Sequence, residues 1–110
     1  MSTPLTDFKG NLINDPVMLK IDDDCYWFSV SDGDLLLWAQ GIAAGYKFEV
    51  DVDEPDVSPL QVQGPNSTKL MTKVFGDWIN DLGFYKFKEI NHGGIPMVIA
   101  RMGYSKELCY

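Results

Sequence analysis

Residues 17–30 read VMLKIDDDCYWFSV and combine two β-rich runs with a polar centre. Val17–Ile21 and Cys25–Val30 are rich in β-branched and aromatic side chains, which pack well on the pleated surface of a sheet. The aspartates between them favour a turn, because their short side chains bond the local backbone. This stretch therefore predicts a β-hairpin. A solvated turn is the simpler interpretation of Asp22–Asp24, and binding of a hard cation by the three carboxylates is the alternative.

A first helix is predicted directly after this hairpin. Ser31 is its expected N-cap, and Asp32 and Asp34 fall in the first turn, where the helix dipole favours acidic side chains. The apolar residues then recur at the i, i+3, i+4, i+7 spacing of one helix face, and they are Leu35, Trp38, Ala39 and Ile42. Gly45 is the predicted end of the helix.

A second helix is predicted to open at Gly64–Ser67, because proline suits the first turn of a helix. Gly76 is its expected end, and Asp77–Leu82 is expected to add one further helical turn. The apolar stripe of this helix comprises Leu70, Met71, Val74 and Phe75.

Four more strands are predicted from the remaining apolar segments. Tyr46–Val52 alternates apolar and charged residues, which is typical of a half-buried strand, and Leu60–Val62 alternates with glutamines. Phe84–Ile90 and Ile95–Met102 form a second predicted hairpin around the turn Asn91–Gly94.

These predictions give the order β-β-α-β-β-α-β-β. Strand pairs that alternate with helices favour an α+β fold, with a mainly antiparallel sheet and two helices on one face. The 110 residues are 45% hydrophobic and 23% charged, which indicates one globular domain over residues 1–110.

The charge of the chain is unevenly distributed. The net charge is -7, and residues 7–56 carry twelve acidic residues against three lysines. Such a surface disfavours nucleic acid as a partner. No apolar run approaches the roughly 20 residues of a membrane span, and the first residues do not resemble a signal peptide. We therefore expect a cytoplasmic protein that binds no membrane.

Few residues could hold a metal or act as nucleophiles. Cys25, Cys109 and His92 lack the spacing of a zinc site, and cytosolic conditions would keep both thiols reduced. The acidic run at the end of the strand predicted over Tyr46–Val52 lacks the glycine and terminal glutamate of a calcium loop; it comprises Asp51, Asp53, Glu54 and Asp56. We expect no metal. An aromatic side chain beside the acidic surface could instead bind a sulfonium or quaternary ammonium group.

Five segments in order resemble one known family, and they cover nearly the whole chain. These segments are Gly10–Val17, Tyr26–Asp32, Leu37–Gly41, Ser58–Pro65 and Arg101–Ser105. Together they resemble the glycine-cleavage T-protein (aminomethyltransferase) family, and within it most closely the dimethylsulfoniopropionate demethylases. The segment Leu-Gln-Val-Gln-Gly-Pro is the most specific of them.

The resemblance implies a tetrahydrofolate-dependent methyltransferase or aminomethyltransferase. The methyl of dimethylsulfoniopropionate, or of a related small-molecule donor, would move to N5 of tetrahydrofolate. Full-length members are several times longer, so the resemblance also implies that this chain is a piece of the folate-binding domain. It begins just before the family's aspartate loop and stops short of a glutamate that holds the pterin.

The resemblance also assigns site residues. Asp15 matches the loop aspartate that faces the reacting folate nitrogen, so it is the expected catalytic and cofactor-binding residue. Ser31 falls near a polar substrate contact, and Tyr104 matches an aromatic residue that contacts substrate and cofactor. Asn14 stands where a second acidic residue is common, and Lys106 stands where the family usually has glycine.

Two other functions compete with the enzyme. A truncated, catalytically inactive folding module would cover its exposed apolar surface by forming a homodimer or by binding a chain that supplies the missing domains. An acidic cation-binding domain is the third hypothesis.

Overall fold

A computed structural model describes residues 2–103 and 108–110. The chain divides into two compact units, Met1–Val57 and Ser58–Tyr110. The single domain over residues 1–110 stays a prediction.

The strands of the first unit form two small antiparallel sheets, one pairing β1 with β2 and the other β3 with β4. Their bounds are β1 Leu5–Thr6, β2 Leu12–Asn14, β3 Val17–Lys20 and β4 Tyr26–Ser29. A bridge between Ser2 and Val17 extends the N-terminal segment alongside β3. The sequence analysis did not predict β1 and β2, because both are too short for a recognisable alternation.

The predicted hairpin at residues 17–30 is confirmed. Val17 pairs with Ser29 and Lys20 pairs with Tyr26, in a register without a bulge. Within the turn, the Asp24 amide donates to Asp22 Oδ1 at 2.8 Å, and Lys20 Nζ lies 2.7 Å from Asp23 Oδ1. The aspartates therefore act as turn residues, with one ion pair to the adjacent strand.

Helix α1, Leu35–Tyr46, begins later than predicted. Its N-cap is Asp34 instead of Ser31, so Asp32 and Asp34 precede the first turn and do not lie in it. The helix also continues past Gly45 to Tyr46. Lys47 is the C-cap of the helix and adopts the left-handed conformation with φ +56°.

The strand predicted at Tyr46–Val52 is wrong. Tyr46 belongs to α1, and no residue from Lys47 to Val52 is in a strand. The Phe48 amide instead donates to the Ala43 carbonyl at 3.0 Å, and Gln40 Nε2 donates to the Val52 carbonyl at 2.8 Å. The segment therefore turns back along the end of the helix, because the helix offers it backbone and side-chain partners.

The second unit contains helix α2 and a β-hairpin, both confirmed with small changes of bounds. Helix α2 spans Ser67–Phe75, and a 3-10 helix follows at Asp77–Asp81. Strand β5, Phe87–His92, pairs antiparallel with β6, Ile95–Ala100. Gly93 and Gly94 both have positive φ, which a two-residue hairpin turn of this kind requires.

The strand predicted at Leu60–Val62 is also wrong, although its last residue pairs with the chain terminus. Val62 and Tyr110 exchange two backbone hydrogen bonds of 2.9 Å, and Gln63 bridges Cys109. Leu60 is 84% exposed and takes no part in this pairing.

The buried core of the second unit joins α2, the 3-10 helix, β6 and the terminus. Its members are Met71, Ile79, Leu82, Ile99 and Tyr110. Antiparallel strands and two α-helices in the described residues confirm the α+β class. The observed order is β-β-β-β-α-α-β-β, because both strands predicted between the helices are absent from the described residues.

Candidate functional site

Asp15 and Ser31 lie at the same end of the β3–β4 hairpin. Asp15 precedes β3 by two residues and Ser31 follows β4 by two residues. The Val17–Ser29 pair is the last of the hairpin on this side, and Asp15 and Ser31 flank it. Two of the three predicted site residues therefore lie at the same end of the hairpin.

A side-chain hydrogen bond closes this end of the hairpin. Asn14 Nδ2 donates to the Asp32 carbonyl at 2.6 Å, just beyond the Val17–Ser29 pair. Asn14 is the last residue of β2 and pairs with Leu5. This hydrogen bond thus links the residue before Asp15 to the residue after Ser31.

The N-terminal segment contacts both the Asp15 carboxylate and the backbone next to it. Ser2 Oγ donates to Asp15 Oδ1 at 2.6 Å, and the Thr3 amide donates to the Pro16 carbonyl at 2.9 Å. Asp15 is exposed and Pro16 is buried. The backbone of the loop is therefore anchored while the carboxylate stays accessible to a ligand.

Tyr104, the third predicted site residue, lies outside the described residues, as does Lys106. The roles of Asp15, Ser31 and Tyr104 stay predictions.

Two contributors to this arrangement, Ser2 and Asn14, were not predicted from the sequence. Ser2 lies 13 positions from the carboxylate that it contacts, and nothing in the sequence signals that contact. Asn14 was noted only as a replacement for an acidic residue. Its amide, unlike a carboxylate, can donate a hydrogen bond, and that difference was the available signal.

A group of aromatic rings lies elsewhere on the first unit. The Phe8 ring centroid is 6.3 Å from that of Trp38 and 6.5 Å from that of Tyr46, and Tyr46 stacks on Phe48 at 5.6 Å. Phe8 is 75% exposed. These rings could bind a cation through their faces, and two of them, Trp38 and Tyr46, belong to helix α1.

Three further findings concern the metal ligands, the cysteines and the helices of the described residues. Within residues 2–103 and 108–110, no group of three or more His, Cys, Asp and Glu side chains is arranged to hold a metal ion. Cys25 and Cys109 are both free thiols. Neither α-helix of this part of the chain is long and apolar enough to span a membrane.

The first unit thus presents an anchored and accessible carboxylate at one end of a hairpin. A sequence model of the GCVT N-terminal domain family matches residues 1–110. The chain therefore belongs to the GCVT N-terminal domain family, and the resemblance to the glycine-cleavage T-protein is confirmed.

Several curated proteins are similar to this chain. Dimethylsulfoniopropionate demethylase DmdA of Ruegeria pomeroyi is 46% identical over 104 residues, which are 94% of this chain and 29% of that protein. A probable aminomethyltransferase of Thermococcus gammatolerans is 32% identical, covering 88% of this chain and 24% of its own length. An aminomethyltransferase of Chlorobium limicola is 30% identical, covering 89% and 28%. The chain thus spans less than a third of these relatives.

Proposed function

We propose that this chain binds reduced folate in a tetrahydrofolate-dependent methyltransferase or aminomethyltransferase, with Asp15 facing the pterin. The observation that carries the proposal is the position of Asp15. The hydrogen bond from Asn14 to the Asp32 carbonyl holds the backbone next to it, and the Asp15 side chain stays accessible. Membership of the GCVT N-terminal domain family supports it.

The residues present fit a reduced pterin. A pterin presents several N–H donors along one edge, and an ionised carboxylate accepts such bonds more strongly than a neutral group does. Asp15 already accepts one hydrogen bond from Ser2, which holds the carboxylate in place without burying it. Bound tetrahydrofolate would supply the N5 atom that receives the transferred carbon.

Asp15 would stabilise the positive charge that develops on the folate amine and would orient that amine. When a methyl group moves from a sulfonium to an amine, the S–C bond breaks, an N–C bond forms, and the sulfur leaves as a neutral thioether. The positive charge and the excess proton then reside on the amine. A carboxylate fixed beside that amine stabilises the developing charge and orients the N–H.

The proposed methyl donor is dimethylsulfoniopropionate or a related small molecule. This finer assignment is supported by the relative from Ruegeria pomeroyi, which is named as a demethylase of that compound. Ser31, at the same end of the hairpin, and Tyr104 are the proposed contacts for the donor. The aminomethyltransferases among the relatives make an aminomethyl donor the nearest alternative. A cytoplasmic location and the absence of a nucleic-acid partner stay predictions.

A catalytically inactive module is a second candidate, and it is favoured by the exposed apolar side chains. Phe8 is 75% exposed, Leu37 is 67% exposed and Leu60 is 84% exposed. Apolar surface of this kind promotes association, here as a homodimer or with a chain that supplies further domains. Light scattering that finds a strict monomer would count against the homodimer.

Anaerobic calorimetric titration with tetrahydrofolate tests the enzyme proposal. We expect saturable binding by the wild-type chain and a loss of roughly 10- to 100-fold in affinity for Asp15→Asn, since a hydrogen bond to a charged group contributes about 1.5–3 kcal/mol. Asp56→Asn is the matched control, because Asp56 is an exposed aspartate of the same unit outside the loop. Equal affinities for wild type, Asp15→Asn and Asp56→Asn would exclude the role of Asp15.

A further inference from the structure

We infer that Asn14 and Gly33 are positioning residues that together fix the Asp15 loop in its binding geometry. This inference rests on the proposed function, because it concerns the same site. It adds two residues whose role is to act through the placement of Asp15.

The first part of this arrangement is the side-chain amide of Asn14. Its Nδ2 donates to the Asp32 carbonyl at 2.6 Å across 18 residues of sequence, so it joins the start of the loop to the segment after β4. Asn14 is half-buried, whereas Asp15 next to it is exposed. Asn14 therefore supports the backbone next to Asp15, whose carboxylate is exposed.

The second part of this arrangement is Gly33, which has no Cβ atom. Its φ is +115°, and a Cβ placed there would lie 2.7 Å from Asn14 Nδ2. That separation is too short for non-bonded atoms, so any larger residue would displace the amide from the Asp32 carbonyl. The Gly33 amide also donates to Asp32 Oδ1 at 2.7 Å, which fixes the turn that carries this carbonyl. Glycine is therefore required both for its backbone conformation and for the space that Asn14 occupies.

The chemistry of Asn14 separates its role from that of an acidic residue. A carboxylate cannot donate to the Asp32 carbonyl, and two oxygen acceptors at 2.6 Å would repel. Asn14→Asp thus changes few atoms but removes the contact. Asn14→Ala removes the side chain that a Cβ at residue 33 would meet.

Nuclear magnetic resonance of the free chain tests the contact directly. In a 15N-labelled sample, one Asn14 side-chain amide proton is expected downfield and slow to exchange with solvent. Gly33→Ala is expected to abolish both signatures. Gly64→Ala is the matched control, since Gly64 has φ +119° with no atom within 4 Å of a new Cβ. It carries the same backbone penalty and should leave the Asn14 signals unchanged.

Tetrahydrofolate affinity then tests whether the contact positions Asp15. Asn14→Asp and Gly33→Ala are each expected to weaken binding by about three- to tenfold, the equivalent of one lost hydrogen bond. Gly64→Ala should bind like wild type. In the Asn14→Ala background, Gly33→Ala should lower the affinity less than it does in wild type, because the clashing amide is gone and only the backbone strain at φ +115° remains.

The outcomes separate this inference from the proposed function. If wild type binds tetrahydrofolate and Asn14→Asp and Gly33→Ala bind equally well, the positioning role is overturned while the proposed function stands. A Gly33→Ala chain that retains the protected Asn14 amide also overturns it. If wild type does not bind tetrahydrofolate, the proposed function and the positioning role fall together.

Discussion

Asp7 and Asp15 are two aspartates of the first unit whose surroundings give them different tasks. Asp7 Oδ1 accepts from the amides of Lys9 and Asn11, and Oδ2 accepts from Asn11 Nδ2, each at 2.8 Å. All of these donors belong to its own turn. Asp15 instead accepts from Ser2, 13 residues away, at an exposed position. The Asp7 carboxylate stabilises local structure, whereas that of Asp15 is available for a ligand.

The hydrogen bonds to Asp7 predict a dependence of stability on pH. They hold the pKa of its carboxyl below the ordinary 3.8, with the Asn11 side chain as the largest cause. Because the folded pKa is depressed, this stabilisation is present above about pH 4 and is lost as the pH falls through the folded pKa. Thermal unfolding should find Asp7→Asn less stable than wild type at about pH 6 and the difference shrinking on acidification. A difference that is constant with pH would contradict this.

Ile79 is the residue on which the core of the second unit depends most. It is fully buried within the cluster that includes Met71 and Ile99. Ile79→Ala should lower the free energy of unfolding by about 2–5 kcal/mol, because it removes buried methyl groups and leaves a cavity. Urea unfolding measures the change. Leu60→Ala, at a position 84% exposed, is the control and should stay within about 0.5 kcal/mol of wild type.

Among the secondary-structure elements, helix α1 ends in a way that can be improved. Lys47 has φ +56°, and its amide bonds the Ala43 and Ala44 carbonyls. A residue with a Cβ is strained in this conformation, so Lys47→Gly should stabilise the chain by about 0.5–1 kcal/mol after the entropic cost of glycine. Thermal unfolding tests this against Lys47→Ala, which keeps the strain and should show no comparable gain.

The elements that the sequence predicts well are those specified by local contacts. The hairpin at residues 17–30 and the hairpin around Gly93–Gly94 are each stabilised by their own turn, and both are confirmed. The segment Tyr46–Val52 has an equally regular alternation, but a strand also needs a neighbour to satisfy its backbone. The end of α1 supplies those bonds instead, and a sequence pattern cannot reveal that.

The candidate site was predictable only in part for the same reason. Asp15 and Ser31 were assigned by resemblance, and the hairpin register explains why they lie at one end. The contacts from Ser2 and from Asn14 join residues 13 and 18 positions apart. Such contacts depend on how the strands fold back, so the sequence alone did not indicate them.

At the scale of the whole molecule, acidic charge is concentrated in the unit that carries Asp15. Residues 7–56 hold twelve of the sixteen acidic residues. This surface attracts cations, and its field is screened within about 8 Å at physiological salt. Contacts of short range must therefore provide any specificity for the proposed folate ligand.

The proposed folate site at Asp15 is tested most directly by mapping where tetrahydrofolate binds. A 15N-labelled chain, titrated anaerobically with tetrahydrofolate, should show saturable shifts of the amide signals of Asn14, Asp15 and Ser31–Gly33. The amides of Gly93 and Gly94, in the hairpin turn of the other unit, should stay in place. If saturating tetrahydrofolate leaves the signals of residues 14–15 and 31–33 unmoved, the proposed site is contradicted.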